Sequence, residues 1–222
     1  MPNSIAENIA SIRQNIPPHV RLIAVSKQKP AAAIREAYAC GIRDFAENRW
    51  QEAKVKQQEL ADLSDITWHF IGHIQKNKAR QILQHFSWIH SLDSLALALR
   101  LNRLAEELGV TPQVLLQFKP LPDPHKYGWE KQQLLADLPQ LDQCKFLKIQ
   151  GLMTILPLGL SKEESLAAFS TTRDLAKMIA QQPWQNIKMT QLSMGMSGDY
   201  LEAITAGATM IRLGSIIFGA RN

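Results

Sequence analysis

Short apolar runs alternate with longer amphipathic segments along the chain. The first run, residues 22–25, holds four apolar residues, two of them β-branched, after a break at Pro17 and Pro18. A run of this length is too short for a helix, and it predicts a strand that is buried on both faces. Further apolar runs predict seven more strands, at residues 42–46, 67–71, 88–90, 114–118, 149–155, 188–193 and 209–213.

Helical patterns separate these strands. Ile5, Ile9 and Ile12 recur at helical spacing, and they predict an extra N-terminal helix that ends at the proline pair. Ser91 or Asp93 is expected to cap the helix that follows the fourth strand. The other helices are predicted at residues 30–40, 49–60, 75–83, 130–138, 161–180 and 198–206.

The order of these elements predicts the fold class. Strand–helix units that repeat eight times, without a hairpin signal between strands, indicate parallel strands joined by crossover helices. The 222 residues fit one (β/α)8 barrel, a TIM barrel, as a single domain over residues 1–222. A doubly wound open sheet is the alternative, but it usually has fewer strands, and no GxGxxG follows the first strand.

Composition narrows the class of protein. The net charge of +5 is scattered along the chain and favours small anionic ligands. The basic face formed by Lys76, Lys78 and Arg80 lacks interleaved aromatic residues, so we expect no nucleic-acid partner. The two cysteines form no CxxC pair, and the sequence shows neither a signal peptide nor a long apolar run. We therefore expect a reduced, cytoplasmic setting and no membrane partner.

The histidines do not predict a metal site. His69 and His73 are four residues apart but straddle a strand end at Gly72, and no cysteine or acidic triad accompanies them or His90. We expect no metal ligand among them. Glu47, at the end of the second strand, is interpreted only as a carboxylate at the start of a helix.

Lys27 directly follows the first strand, at the end of the strand where barrel enzymes keep their chemistry. Desolvation at such a position lowers the pKa of a lysine, which then attacks an aldehyde as a free amine. A solvated lysine at a strand end is the alternative. The other strand ends decide between the two.

The loops after the seventh and eighth strands are rich in glycine and serine. Ser193, Gly195 and Ser197 lie in or beside the first loop, and Gly214 and Ser215 form the second. Ser197 is expected to cap the next helix, and barrels frequently bind phosphate with these two loops together. Ordinary turn glycines and capping serines are the alternative.

Arg212 interrupts an otherwise apolar strand two residues before Gly214. An arginine there must either form a buried ion pair or face a polar mouth of the barrel. A lysine that forms an imine, a phosphate cradle and a fixed arginine together describe a site for pyridoxal 5′-phosphate (PLP). A guanidinium bonded to the pyridine nitrogen keeps that nitrogen unprotonated and makes the ring a poor electron sink.

Six motifs in order resemble the pyridoxal phosphate homeostasis protein family over nearly the whole chain. They are Ala24-Val25-Ser26-Lys27, Ala46-Glu47-Asn48, His69-Phe70-Ile71-Gly72-His73-Ile74-Gln75-Lys76-Asn77-Lys78, Gly151-Leu152-Met153-Thr154-Ile155, Leu192-Ser193-Met194-Gly195-Met196-Ser197 and Arg212-Leu213-Gly214-Ser215.

The resemblance implies a barrel similar to the N-terminal domain of alanine racemase, a fold-type III PLP protein. It implies PLP held as a Schiff base on Lys27, with its ring nitrogen on Arg212 and with Asn48 and Met153 lining the ring. It implies that the phosphate lies around Ser193, Gly195, Gly214 and Ser215. The implied role is vitamin B6 and amino-acid homeostasis without established catalysis, with PLP-requiring apo-enzymes as partners.

Two enzymes would share parts of this site. A PLP-dependent amino-acid racemase uses a second domain and a partner subunit to supply an opposing acid or base. This chain ends nine residues after the eighth strand, so we expect a monomer with an open cofactor face. A Schiff-base aldolase would use the lysine and the phosphate site but would not need Arg212. The loop at residues 119–128, with three prolines, is a candidate lid or contact surface.

Overall fold

The computed structural model describes residues 3–123 and 126–219, and it shows a closed barrel of parallel strands. Each strand pairs with the next in the chain, and the eighth pairs with the first. This arrangement confirms the predicted TIM barrel. The strands are β1 (Arg21–Val25), β2 (Asp44–Glu47), β3 (Thr67–Phe70), β4 (Trp88–Leu92), β5 (Gln113–Gln117), β6 (Lys148–Met153), β7 (Ile187–Ser193) and β8 (Met210–Leu213).

Helices connect the strands on the outside of the barrel. Among the described residues they are α1 (Ile5–Gln14), α2 (Ala31–Ala39), α3 (Trp50–Glu59), α4 (Ala79–His85), α5 (Leu95–Leu108), α6 (Lys131–Leu141), α7 (Lys162–Ala180), α8 (Tyr200–Thr205) and α9 (Ser215–Phe218). In this part of the chain, none of the helices combines the length and the apolar character needed to cross a membrane.

The N-terminal helix is confirmed, and its ends have clear causes. Ser4 and Glu7 form a reciprocal capping box that satisfies free backbone N–H groups at the start of α1. Ile9 and Ile12 are buried, which gives α1 the apolar face that the spacing predicted. Asn8 Nδ2 donates to the carbonyl of Ile217 at 3.0 Å, so α1 is tied to α9 at the other end of the chain.

Two local predictions were wrong. Neither Ser91 nor Asp93 caps α5, because the N-cap is Ser94. Ser91 belongs to β4 and its hydroxyl donates to the Gly72 carbonyl, whereas Asp93 lies 2.9 Å from His73 Nδ1. The single helix predicted at residues 75–83 is a 3-10 turn, Lys76–Lys78, followed by α4.

The barrel interior contains both apolar and polar layers. Inward-facing apolar residues form a small buried cluster of Ile23, Val25, Ala46, Leu115, Met153 and Met210. Inward-facing and outward-facing side chains alternate along each strand. The same alternation makes five polar residues face inward: Asp44, His69, His90, Ser193 and Arg212. A larger apolar cluster fills the space between the strands and the helices. Polar side chains inside the barrel therefore need hydrogen-bond partners there.

Gly151 allows β6 and β7 to approach each other closely. A Cβ atom at this position would lie 1.8 Å from the Gln191 carbonyl oxygen, and the register of the two strands shifts at this point. We expect Gly151→Ala to reduce the free energy of unfolding by about 3 kcal/mol, since a rigid backbone must move. Urea unfolding followed by circular dichroism measures this.

Gly198→Ala is the matched control, because nothing lies within 4 Å of a Cβ atom there. We expect its unfolding curve to overlay that of the natural protein. Equal unfolding midpoints for the two variants would show that β6 and β7 are not in tight contact at Gly151.

Candidate functional site

A cavity of about 440 Å³ opens at the carboxyl ends of the strands. Six of the predicted site residues line it: Lys27, Asn48, Ser197, Arg212, Gly214 and Ser215. They come from the ends of β1, β2 and β8 and from the loop after β7. Apolar residues, including Ile71 and Ile155, form other parts of the wall. Amine, amide, hydroxyl and guanidinium groups thus meet in one cavity.

Arg212 lies on the floor of this cavity and is only 3% exposed. Its Nη1 donates to Ser193 Oγ at 2.7 Å, and its Nη2 donates to the Thr154 carbonyl at 2.8 Å. Among residues 3–123 and 126–219, no carboxylate oxygen lies within 4.0 Å of this guanidinium, so it forms no ion pair there. Burial lowers the pKa of Arg212 to about 10, although Asp199 acts to raise it. Since a guanidinium has five N–H bonds, Arg212 can also donate to a ligand.

Three predicted site residues lie behind the lining of the cavity. Ser193 is fully buried, and its hydroxyl contacts Arg212 and His90. Met153 is fully buried in the small apolar cluster inside the barrel. Gly195 has a φ of +93°, and a Cβ atom there would lie 2.7 Å from Ala203 Cβ. Its carbonyl accepts from the Arg212 amide at 3.0 Å. These residues shape the cavity wall from behind.

The loops after β7 and β8 contact each other, but Ser197 does not cap the following helix as predicted. Helix α8 begins at Tyr200 with Asp199 as its N-cap, but the Asp199 side chain makes no capping hydrogen bond. Its Oδ1 instead accepts from the Met196 amide, before the helix, at 2.6 Å. Ser197 Oγ instead accepts from the Gly214 amide at 3.4 Å. This contact holds the two predicted phosphate loops side by side. Burial raises the pKa of Asp199, and Arg212 acts to lower it.

The turn that carries Lys27 is fixed on both sides by charged residues. Lys56 Nζ donates to the Ser26 carbonyl at 2.7 Å, and the Gln28 amide donates to Glu52 Oε1. Gln28 has a φ of 62°, a backbone conformation that residues other than glycine rarely adopt. Strong backbone hydrogen bonds on either side of Lys27 can hold this conformation.

Glu47 was interpreted as a simple helix-start carboxylate, and this was wrong. Its side chain is fully buried and accepts from Ser26 Oγ at 2.6 Å and from Lys56 Nζ at 2.7 Å. Its other oxygen, Oε2, has no hydrogen-bond partner in the described part of the chain. Burial raises the pKa of the Glu47 carboxyl, against the lowering effect of Lys56. Glu47 and Lys56 are therefore a buried ion pair beneath Lys27.

The loop at residues 119–128 lies beside the mouth of the barrel, and its Pro124 and His125 lie outside the described residues. Tyr127 stacks on His73 with ring centroids 3.7 Å apart, and Lys126 Nζ donates to the Leu156 carbonyl. These contacts connect the loop to the ends of β3 and β6. Its role as a lid or contact surface stays a prediction.

Comparison with known proteins places the chain in a family. A family model described as "Alanine racemase, N-terminal domain" matches residues 2–222. The alanine racemase of Clostridium difficile shares the fold, with a TM-score of 0.78. At 13% identity over 98% of this chain and 57% of that one, this likeness shows the fold alone. The fold and site thus define an alanine racemase-like barrel.

Proteins with a much higher sequence identity to this chain identify its family within this class. The curated pyridoxal phosphate homeostasis protein of Synechocystis sp. is 56% identical over 220 residues, which are 99% of this chain and 98% of that protein. The solved structure of PipY from Synechococcus elongatus, with PLP bound, is 54% identical. The match covers 97% of this chain and 100% of the PipY chain, with a TM-score of 0.93. The chain belongs to the pyridoxal phosphate homeostasis protein family, as its motifs indicated.

The buried Glu47–Lys56 pair generates a prediction about stability and pH. We expect Lys56→Met to reduce the free energy of unfolding at pH 7 by about 3 kcal/mol, because it leaves a buried carboxylate without its cation. The pKa of Glu47 then rises further, so the folded state holds the proton more tightly than the unfolded state does. The loss of stability in Lys56→Met therefore becomes smaller as the pH falls toward 4.5, the ordinary pKa of a glutamate carboxyl. Denaturant unfolding from pH 4 to 8 measures this.

Two further variants control this experiment. Adding Glu47→Gln to Lys56→Met removes the uncompensated charge, and it should restore most of the stability at pH 7. Arg35→Met breaks an exposed pair with Asp62 and should have little effect at any pH. A loss for Lys56→Met that does not vary with pH would contradict the assignment of a buried ion pair.

Proposed function

We propose that this chain binds PLP in the cavity at the carboxyl ends of the strands and serves PLP homeostasis without catalytic turnover. The observation that carries the proposal is Arg212, a buried guanidinium that lines the same cavity as Lys27 and makes no ion pair among the described residues. Such a group favours a ligand that offers a hydrogen-bond acceptor at the cavity floor. The pyridine nitrogen of PLP is such an acceptor.

The other groups of the cavity suit the rest of this cofactor. PLP supplies an aldehyde, with which a lysine amine condenses, and a phosphate. Lys27 would hold the aldehyde, while Ser197, Gly214 and Ser215 would hold the phosphate, with Ser193 and Gly195 supporting these loops from behind. Asn48 would flank the ring, and Met153 would support this part of the site from inside the barrel. A volume of about 440 Å³ is within the usual range for a cofactor site.

The relatives support this assignment. The PipY structure has PLP bound, and the Synechocystis relative is named a pyridoxal phosphate homeostasis protein. Both match this chain over almost its full length, including the residues from Lys27 to Ser215 that form the cavity. At this level of identity over the whole chain, we expect this protein to bind the same ligand as the PLP-bound relative.

The lining of the cavity supports a role without turnover. Its ionisable side chains, as far as the structure describes them, are Lys27, Lys29 and Arg212. Apart from Lys29, the described part of the lining offers no second acid or base for a racemase, since it includes no carboxylate, imidazole, phenol or thiol. Arg212 would also keep the pyridine nitrogen unprotonated, which weakens the ring as an electron sink.

We infer that the protein acts as a monomer and passes PLP to enzymes that require it. The cavity opens to solvent beside Leu158, which is 93% exposed. An apolar residue at the rim offers a contact for a receiving protein. Light scattering on the PLP-loaded protein tests the first part, and activation of a PLP-requiring apo-enzyme by the loaded protein tests the second.

The PLP assignment predicts a residue-specific covalent linkage. We expect the natural protein mixed with PLP to show Schiff-base absorbance, and borohydride followed by peptide mapping should fix the cofactor on Lys27. Lys27→Ala should lose this absorbance and the fixed adduct but retain weaker binding through the phosphate loops. Absorbance spectroscopy and equilibrium dialysis measure the two effects.

Lys29→Ala is the matched control, because Lys29 lines the same cavity two residues away. We expect it to keep the absorbance and the adduct on Lys27. A natural protein that does not take up PLP would refute the proposal, and measurable racemisation of amino acids by the loaded protein would favour the racemase instead.

A further inference from the structure

A chain of buried hydrogen bonds runs through the barrel behind Arg212. Ser193 Oγ, which accepts from Arg212 Nη1, is 2.8 Å from His90 Nδ1. His90 Nε2 is 2.9 Å from His69 Nδ1, and His69 Nε2 is 2.9 Å from Asp44 Oδ1. We call these five residues the relay. Ser193, His90 and His69 are fully buried, and the function proposed above does not use His90, His69 or Asp44.

The two ends of the relay lie at opposite ends of the barrel. Arg212 lines the PLP cavity, whereas Asp44 is the first residue of β2 and lines a second cavity of about 660 Å³. There Asp44 is 3.6 Å from Arg21, whose guanidinium lies over the ring of Trp88. The relay thus has a cation at the cofactor end and a carboxylate at the other end.

Chemistry fixes the direction of every hydrogen bond in the relay. The Asp44 carboxylate can only accept, so His69 Nε2 must donate to it. Burial lowers the pKa of His69 despite Asp44, and burial together with His69 and Arg212 holds the pKa of His90 well below its usual range. Neutral His69 then accepts at Nδ1, so His90 donates from Nε2 and accepts at Nδ1.

The Ser193 hydroxyl therefore donates to His90, and its oxygen is free to accept from Arg212. All four hydrogen bonds donate in the same direction, from the guanidinium toward the carboxylate. This arrangement lets Asp44 compensate the Arg212 charge from the far end of the barrel through polarised neutral groups. It does so without a carboxylate beside Arg212 that would compete with a ligand.

We propose that Asp44, His69 and His90 are positioning residues that hold Arg212 toward the PLP ring nitrogen and set its hydrogen bond from the opposite end of the barrel. The part that concerns the cofactor rests on the proposed PLP function. The direction of the relay rests on the protein alone and can be read without PLP.

The test combines a measurement on the PLP-free protein with one on the loaded protein. Nitrogen-15 spectra of labelled histidine should show His69 and His90 as neutral Nε2–H tautomers, with His69→Gln and His90→Gln identifying the signals. Asp44→Leu removes the terminal acceptor, so the tautomers should change to Nδ1–H. In the loaded protein, this variant should bind PLP about tenfold more weakly and shift the cofactor absorbance toward a protonated pyridine.

Asp65→Leu is the matched control. Asp65 also pairs with an arginine, Arg43, but it lies outside the relay. We expect it to leave both tautomers, the PLP affinity and the absorbance unchanged. If Asp44→Leu does not fold, Asp44→Asn keeps the acceptor oxygen without the charge. It should keep the Nε2–H tautomers and lose less PLP affinity than the tenfold expected for Asp44→Leu.

Several results would overturn the proposal. A protonated or Nδ1–H histidine in the natural protein would refute the direction of the relay, whether or not PLP binds. Unchanged affinity and absorbance in both Asp44 variants would show that Asp44 does not act on the cofactor site. Failure of the natural protein to bind PLP, with the tautomers as expected, would refute the proposed function and leave the relay as a structural element.

Discussion

The site depends on the hydrogen bonds that hold the buried guanidinium of Arg212. A buried charge is unfavourable unless it is paired or well hydrogen-bonded. Here the acceptors are neutral, Ser193 Oγ and the Thr154 carbonyl, and the carboxylate that acts to raise the pKa of Arg212 is Asp199, beyond ion-pair distance. The proposed relay adds Asp44 from the far end of the barrel. The closed barrel makes this possible, because inward positions on four other strands, β2, β3, β4 and β7, line up behind the Arg212 side chain.

Charge is handled differently behind the neighbouring part of the cavity wall, where β1 and β2 end. Lys56 there is paired directly with Glu47 and Glu52, and the same three side chains hold the turn around Lys27 through Ser26 and Gln28. Lys27 itself lines the cavity. An ion-pair network thus fixes the backbone around Lys27, whereas the Arg212 cation has no ion pair among the described residues and would be available to a ligand.

The sequence predicted the fold and the residues at the rim of the site better than it predicted the buried polar residues behind the site. Buried parallel strands are continuous apolar runs, so the apolar pattern alone was enough to place Lys27 at the end of the first strand and Arg212 within the last. Lys56 could not be placed in this way, because a lysine on a polar helix such as α3 is normally solvated, and its burial depends on how α3 packs over β2. His69 and His90 were identifiable as polar residues in apolar strands, but their contact joins two strands and needs the barrel register.

Under the proposed function, these features together would let a racemase-like barrel hold a reactive cofactor without catalytic turnover. Carbanion chemistry on PLP is favoured by an electron-withdrawing ring, and racemisation also uses a second acid or base near the substrate. In the proposed function Arg212 would oppose the first of these, and the relay would hold it in place. Apart from the Lys29 amine, the cavity lining, so far as it is described, offers no group for the second. The covalent chemistry of Lys27 would then serve retention and release, and the strength of retention would depend on how firmly the Glu47–Lys56 pair fixes its turn.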